Sequence, residues 1–261
     1  MSSPPSPNLI IYRGWFNPGL YVWSPFVIKL EARLRFANIP YKTAVGSVRT
    51  APRGKIPYIE INDEGSSSCI GDSTLIIKHL IERNILADLN GKLSPANKTH
   101  DLALRALCED KLYFYNTHER WTQNYYTMRD HILGAIPYPV RVIVGLLIYR
   151  GSVRTLHGQG TGRYSRAEIQ MFRNEVWESL NGMLAAAQAE AKDGDDRPFW
   201  ILGGDEPTEA DATVFGFIVS GLICTAGPAT RKLMLEFPAI REYAGRIHEA
   251  FFPDYEKWSE K

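Results

Sequence analysis

The apolar pattern changes character near residue 90, from short runs broken by turn residues to long stretches with helical spacing. Asn8 to Tyr12 is a brief Leu- and Ile-rich run that predicts a buried strand. Ser24-Pro25 then sets a capping residue before a proline at the first helical position, where a missing N–H costs nothing. Val27, Leu30, Leu34 and Ala37 follow at helical spacing, and Asn38-Ile39-Pro40 ends the pattern. Tyr41 to Val45 and Ile56 to Ile61 predict two more strands, the second closed by Asn62-Asp63-Glu64-Gly65. A very short fourth strand holds Cys69 and Ile70, and Asp72-Ser73 opens a helix carrying Leu75, Ile76, Leu80 and Ile81. The order is β-α-β, a variable stretch, then β-β-α.

Beyond Leu93-Ser94-Pro95 the spacing is helical throughout. Leu104, Cys108, Leu112 and Tyr115 form one stripe, and Ile169, Phe172, Val176, Leu180 and Met183 form another. Thr208-Glu209-Ala210-Asp211 resembles a capping box ahead of the apolar run from Val214 to Ile223, and its residues are assigned to helix starting rather than chemistry. With the boundary between residues 88 and 96, the chain reads as a disordered lead (1–7), an α/β domain (8–90) and an all-helical domain (96–261). Neither an internal repeat nor a low-complexity stretch appears beyond the Ser/Pro lead and the acidic loop from Lys192 to Pro198.

Composition narrows the function. Of 261 residues 44% are hydrophobic, and 30 basic side chains oppose 29 acidic ones, a balance without the broad basic surface of nucleic-acid binders. Cys69, Cys108 and Cys224 are an odd, widely spaced set, so neither a disulfide framework nor a zinc module is expected, and a reducing, cytoplasmic setting fits. The first residues have no basic region followed by an apolar one, and Phe251 to Lys261 carries five charges, so neither a signal peptide nor a tail anchor is expected. The apolar stretch Ile132 to Tyr149 is interrupted by Pro137, Pro139 and Arg141, and reads as a buried helix or the wall of an apolar pocket rather than a membrane span.

Candidate chemistry sits at the junctions of the α/β half. Pro57 stands at the entrance to a strand, where a tight, sometimes cis, turn leaves the N–H and C=O of Ile56 free to pair with an extended peptide. At Asp72-Ser73 a helix start gathers backbone donors and a hydroxyl suited to a carboxylate, while Asp72 suits an ammonium group. With Ser24 at another helix start, these residues describe a pocket for a small peptide with an amino-acid end and a thiol.

Ser24-Pro25-Phe26, Gly54-Lys55-Ile56-Pro57, Ile70-Gly71-Asp72-Ser73 and Thr208-x-x-Asp211 together resemble the glutathione transferase superfamily over nearly the whole chain. The resemblance implies an α+β two-domain fold, a thioredoxin-like N-terminal domain followed by an all-α C-terminal domain. Ser24-Pro25-Phe26-Val27-Ile28-Lys29-Leu30-Glu31 and Gln159-Gly160-Thr161-Gly162-Arg163 resemble the branch of metaxins and failed-axon-connections proteins, and some fungal secondary-metabolism transferases look similar. It further implies glutathione as cofactor, Ile56 pairing with its cysteinyl part beside a cis Pro57, Asp72 and Ser73 holding its γ-glutamyl end, and Arg53 or Lys55 neutralising its glycine carboxylate. Ser24 would be the catalytic hydroxyl, since a helix start and a hydrogen bond to the charged form both favour thiolate over thiol. As a good cap before proline, Ser24 has a purely structural reading too. No cysteine lies between Tyr12 and Lys29, which sets the chain apart from redox-type relatives. A homodimer is expected only by resemblance.

Trp15, Tyr21, Tyr115 and Trp121 are the candidates for the wall of a second-substrate pocket, with Tyr12 assigned to the core. The expected partner is a small hydrophobic electrophile or polyene, and the expected activity is conjugation or glutathione-dependent double-bond isomerisation. The alternative is a non-catalytic, metaxin-like binding or scaffold protein. Other motifs fall away. Gly158-Gln159-Gly160-Thr161-Gly162 lacks the preceding strand and closing Lys of a phosphate loop, His118-Glu119 lacks the second His of a metal motif, and Glu109-Asp110 reads as a solvated helix face. Gly71-Asp72-Ser73 resembles an esterase block, but no Asp-x-x-His follows.

Overall fold

The computed structural model describes residues 8–15, 17–63, 66–191 and 197–259. The expected disordered lead, residues 1–7, lies outside them, as do positions 192–196 of the acidic loop. The first half runs β1 (Asn8–Tyr12), α1 (Pro25–Phe36), β2 (Lys42–Ala44), β3 (Tyr58–Asp63), β4 (Ser66–Gly71) and α2 (Ser73–Glu82). Its sheet has the order β2-β1-β3-β4, with β1 and β2 parallel and the other pairs antiparallel. The parallel step needs a crossover, which α1 provides. Period-two alternation sends Leu9, Ile11, Ile59 and Ile61 to one face, where Leu30 and Leu34 of α1 and Ile76 and Leu80 of α2 cover them. Tyr12, expected in that core, lies on the other face instead, stacked on Tyr58 at 4.3 Å and donating to Glu60 at 2.7 Å. Strand β3 starts two residues later than the sequence predicts, because Ile56 and a cis Pro57 occupy the turn before it. Strand β4 spans six residues rather than a few, since its serines pair with β3 through the backbone and carry little apolar signal.

Helices make up the rest: α3 (Pro95–Ala106), α4 (Tyr113–His118), α5 (Tyr125–Ile132), α6 (Tyr138–Gln159), α7 (Arg166–Glu190), α8 (Glu209–Ile223), α9 (Pro228–Leu235) and α10 (Pro238–Phe251). Two π-helical turns, Leu107–Leu112 and Glu119–Gln123, flank α4. Buried Leu104, Cys108 and Leu112 keep the predicted stripe, whereas on α7 the inward residue is Leu184 rather than Met183. The core gathers around α8, nearly all of which is buried. Its start is the predicted one: the N–H and hydroxyl of Thr208 donate to Asp211 at 2.7 and 2.9 Å. Ile201 N–H and the Tyr243 hydroxyl also donate to that carboxylate, so burial pushes the Asp211 carboxyl up while four donors pull it down.

Helix α1 joins the two halves by lying on α8. Gly216 permits the close approach, since a Cβ there would stand 2.9 Å from the Lys29 nitrogen. Arg33 of α1 reaches Glu209 at the start of α8 at 2.6 Å, both buried. The stretch Ile132 to Tyr149, expected as buried helix or pocket wall, breaks after α5 and resumes as α6, of which only Gly145 and Leu156 are buried. Among the described residues no single helix is long and apolar enough to cross a membrane.

Candidate functional site

A cleft of about 490 Å³ opens between the sheet half and the first helices of the second half. Ser24 lies on one wall, at the start of α1. Its backbone is extended, as a capping residue requires, but its hydroxyl accepts no N–H of the helix. The purely capping reading therefore leaves the side chain unexplained, and Ser24 is among the residues that line the cleft. Two residues fix the chain just before it: Arg120 donates to the Trp23 carbonyl at 3.1 Å and to Ser220 at 3.0 and 3.1 Å, and Ser220 donates to the same carbonyl at 2.6 Å.

Opposite stand the two junctions. Ile56 precedes the cis bond to Pro57, and its own N–H and C=O have no backbone partner among the described residues. Asp72 occupies the N-cap of α2 with φ at +81°, a region that favours glycine. One of its carboxylate oxygens accepts the Thr74 and Leu75 amides at 3.0 and 3.1 Å. That uses two of the helix's first donors and leaves the N–H and hydroxyl of Ser73 at the head of α2. Asp72 thus both caps and faces the cleft. Lys55 lines the same cleft and is exposed.

The remaining wall comes from helices. Tyr113, Phe114, Thr117 and Trp121 lie along it, joined by Met128 and Ile132 of α5 and by Trp15 and Trp23 from the loop before α1. Trp23 stacks on His131 with ring centres 3.4 Å apart, and burial pushes the imidazole below its ordinary value, which favours the uncharged ring. Glu109 also lines the cleft, and it is not merely a solvated helix face: buried Lys29 bridges it at 2.6 Å to Thr74 at 2.8 Å, tying α1, α2 and the first π turn together.

Of the site residues expected from the sequence, the cleft brings together Trp15, Ser24, Lys55, Ile56, Pro57, Asp72, Ser73 and Trp121. Three lie elsewhere. Arg53 is exposed, its carbons against Gly71 and outside the cleft lining, which leaves Lys55 as the nearer cation. Tyr21 sits in the aromatic core of the second half, its hydroxyl 2.8 Å from His248 Nδ1 and its ring against Phe252 and Tyr255. Burial pushes that phenol far up, and it lines a neighbouring cavity that shares Trp15 and Trp23 with the cleft. Tyr115 points to the opposite side of its helix from the cleft, stacking on Phe172 of α7. The sequence pattern passes over Arg120 and puts Glu109 on a solvated helix face; both lie within the π turns that reset the helix phase.

Residues 25–128 match the family model described as the glutathione S-transferase N-terminal domain. The whole architecture is similar to a glutathione S-transferase from Rhodospirillum rubrum F11, with a TM-score of 0.56 and 14% identity over 96% of this chain and 93% of that one. It is also similar to Ure2p in complex with glutathione, with a TM-score of 0.55 and 12% identity over 97% and 94% of the two chains. The chain has the glutathione transferase fold. A third likeness is to the maleylacetoacetate isomerase of Anaeromyxobacter dehalogenans 2CP-1, solved with bound dicarboxyethyl glutathione and citrate, at a TM-score of 0.50 and 13% identity over 98% and 96% of the chains. At these identities the likeness is one of fold, and together with the family match it supports the glutathione S-transferase superfamily. Within this transferase fold the cleft lies between a four-stranded, thioredoxin-like half and the all-helical half.

Proposed function

We propose that the cleft binds glutathione and holds its sulfur as a thiolate for addition to an apolar electrophile. The observation that carries this reading is the meeting, in one cleft, of an uncommitted Ser24 hydroxyl, an unpaired Ile56 backbone and a helix start at Ser73, all facing an aromatic wall. Three sets of unused donors and acceptors suit a peptide with a carboxylate at each end and a thiol between them. A volume of about 490 Å³ is within the range of small-molecule sites.

Glutathione, when bound, supplies the nucleophilic sulfur. Ser73 offers its N–H and hydroxyl to the γ-glutamyl carboxylate, and the α2 dipole favours that charge. The free side of Asp72 faces the ammonium group, Ile56 pairs with the cysteinyl backbone, and Lys55 balances the glycine carboxylate. Ser24 donates to the sulfur and so favours its charged form. The aromatic wall excludes water and receives a hydrophobic electrophile or polyene. Conjugation and double-bond isomerisation both draw on this arrangement, and proteins similar in fold include Ure2p in complex with glutathione and a maleylacetoacetate isomerase with bound dicarboxyethyl glutathione. A cytoplasmic enzyme akin to the fungal secondary-metabolism transferases is the fuller form of the proposal.

Calorimetric titration of the full chain with glutathione tests it. Binding in the micromolar-to-millimolar range is expected, weakened about tenfold or more by Ser73→Ala, the effect of one hydrogen bond to a charged group. Absence of binding at several millimolar overturns the reading and favours a scaffold that has kept the fold.

A further inference from the structure

Helix α6 carries an apolar face that no described part of this chain covers. Its inner side rests on α5, where a Cβ on Gly145 would lie 2.7 Å from Arg129 Cδ. Its outer side exposes Val140 (50%), Ile143 (64%) and Leu147 (62%), flanked by Leu146 (43%). Steps of three and four residues place Val140, Ile143, Leu147, Arg150 and Arg154 on a single stripe, apolar for the first turns and basic for the last. A helix apolar on all sides normally lies inside a protein.

Charge decides what covers the stripe. Residues 138–159 contain no acidic side chain, and residues 125–166 carry six arginines against one acid, a local net charge of +5 in a chain of +1. That acid, Asp130, is engaged by Arg129 at 2.8 Å and faces Arg141 at 3.6 Å. Arg150 and Arg154 are exposed and have no hydrogen-bond or ion-pair partner among the described residues. A second copy meeting this helix through its own α6 would offer no counter-charge and would bury arginine against apolar side chains. An anionic lipid surface supplies both an apolar layer and the missing negative charge.

We propose that α6 docks the protein on an anionic membrane surface, with Val140, Ile143, Leu146 and Leu147 entering the boundary between headgroups and acyl chains and Arg150 and Arg154 on the headgroups. The proposed attachment is peripheral, since no single described helix is long and apolar enough to cross a bilayer. It stands independently of glutathione, although α5, on which α6 rests, lines the cleft through Met128 and Ile132.

Co-sedimentation of the full chain with vesicles tests the proposal. Partition onto phosphatidylserine-containing vesicles is expected to exceed that onto pure phosphatidylcholine by about thirtyfold, the effect of two surface arginines, and to fall in high salt. Ile143→Ser/Leu147→Ser is expected to lower partition about tenfold or more with an unchanged melting temperature, and Arg150→Glu/Arg154→Glu to abolish the preference for phosphatidylserine. Wild-type protein that stays in the supernatant with both vesicles, or partition that Ile143→Ser/Leu147→Ser leaves unchanged, overturns it. So does a dimer in sedimentation velocity that Ile143→Ser/Leu147→Ser dissociates, which would give the face to a second copy.

Discussion

Ser24 and Asp72 both occupy the capping position of a helix, and the structure separates what each does there. Ser24 leaves its hydroxyl out of the helix, so Ser24→Ala removes no capping bond. On the proposed chemistry it removes one hydrogen bond to a thiolate, worth about 1.5–3 kcal/mol, and the pKa of bound glutathione rises by about 1–2 units. Ultraviolet titration of the enzyme-bound thiolate measures that shift. Asp72 does cap, but at a positive φ that costs an L-residue on the order of 1 kcal/mol or more. Glycine there relieves the backbone and loses only a few tenths as a cap, whereas alanine loses the cap without relief. Asp72→Gly is thus expected to melt at or above the wild-type temperature and Asp72→Ala to be about 1–2 kcal/mol less stable, while both bind glutathione more weakly. Paired thermal melts and titrations check the separation, and unchanged glutathione binding in both variants would make Asp72 a cap alone.

At the scale of elements, the sequence located helices and strands but not the phase of one critical helix. The apolar stripe of Leu104, Cys108 and Leu112 is legible because apolar residues recur every four positions, and all three are buried in the structure. The π turns at Leu107–Leu112 and Glu119–Gln123 alter the rotation between successive turns, and no residue type announces them. For this reason Tyr115, which the sequence sends to the pocket, packs on Phe172, while Tyr113, Thr117 and Arg120 face the cleft. Arg120 then locks α8 to the chain before Ser24 through the Trp23 and Ser220 carbonyls. Arg120→Met leaves a buried carbonyl short of a donor at a cost of about 1–3 kcal/mol in urea denaturation and, on the proposed function, loosens Ser24, so that turnover falls more than glutathione affinity.

The two halves of the molecule are held by buried charge as well as apolar contact. Arg33→Met strands Glu209 without its partner and is expected to destabilise by about 3–5 kcal/mol, most of it recovered in Arg33→Met/Glu209→Leu, as a double-mutant cycle in denaturant would show. Burial lowers the imidazoles of His118, His131 and His248 below the ordinary 6.5. The unfolded chain then takes up protons near 6.5 while the folded one does not, so their contribution to stability is complete above that pH and declines as the pH falls toward the lowered values. His131→Phe keeps a ring against Trp23 and is expected to flatten the fall in melting temperature between pH 7.5 and 5.5. An unchanged slope would remove His131 from that account.

Local pattern alone determined the strand and helix order, the start of α8 at Thr208 and the junctions at Ile56-Pro57 and Asp72-Ser73, because caps, prolines and periodicity act between residues a few positions apart. Only the tertiary structure decided which of two nearby cations reaches the cleft, that Tyr21 belongs to the core, and that Arg120 and Glu109, the latter held by Lys29, line the cleft. Those outcomes depend on contacts such as Lys29 with Glu109 and Tyr21 with His248, far apart along the chain, and on helix phase, neither of which a local pattern encodes. The outward apolar face of α6 is the same case in reverse: the sequence shows an apolar stretch, and packing alone decides that it meets no protein among the described residues.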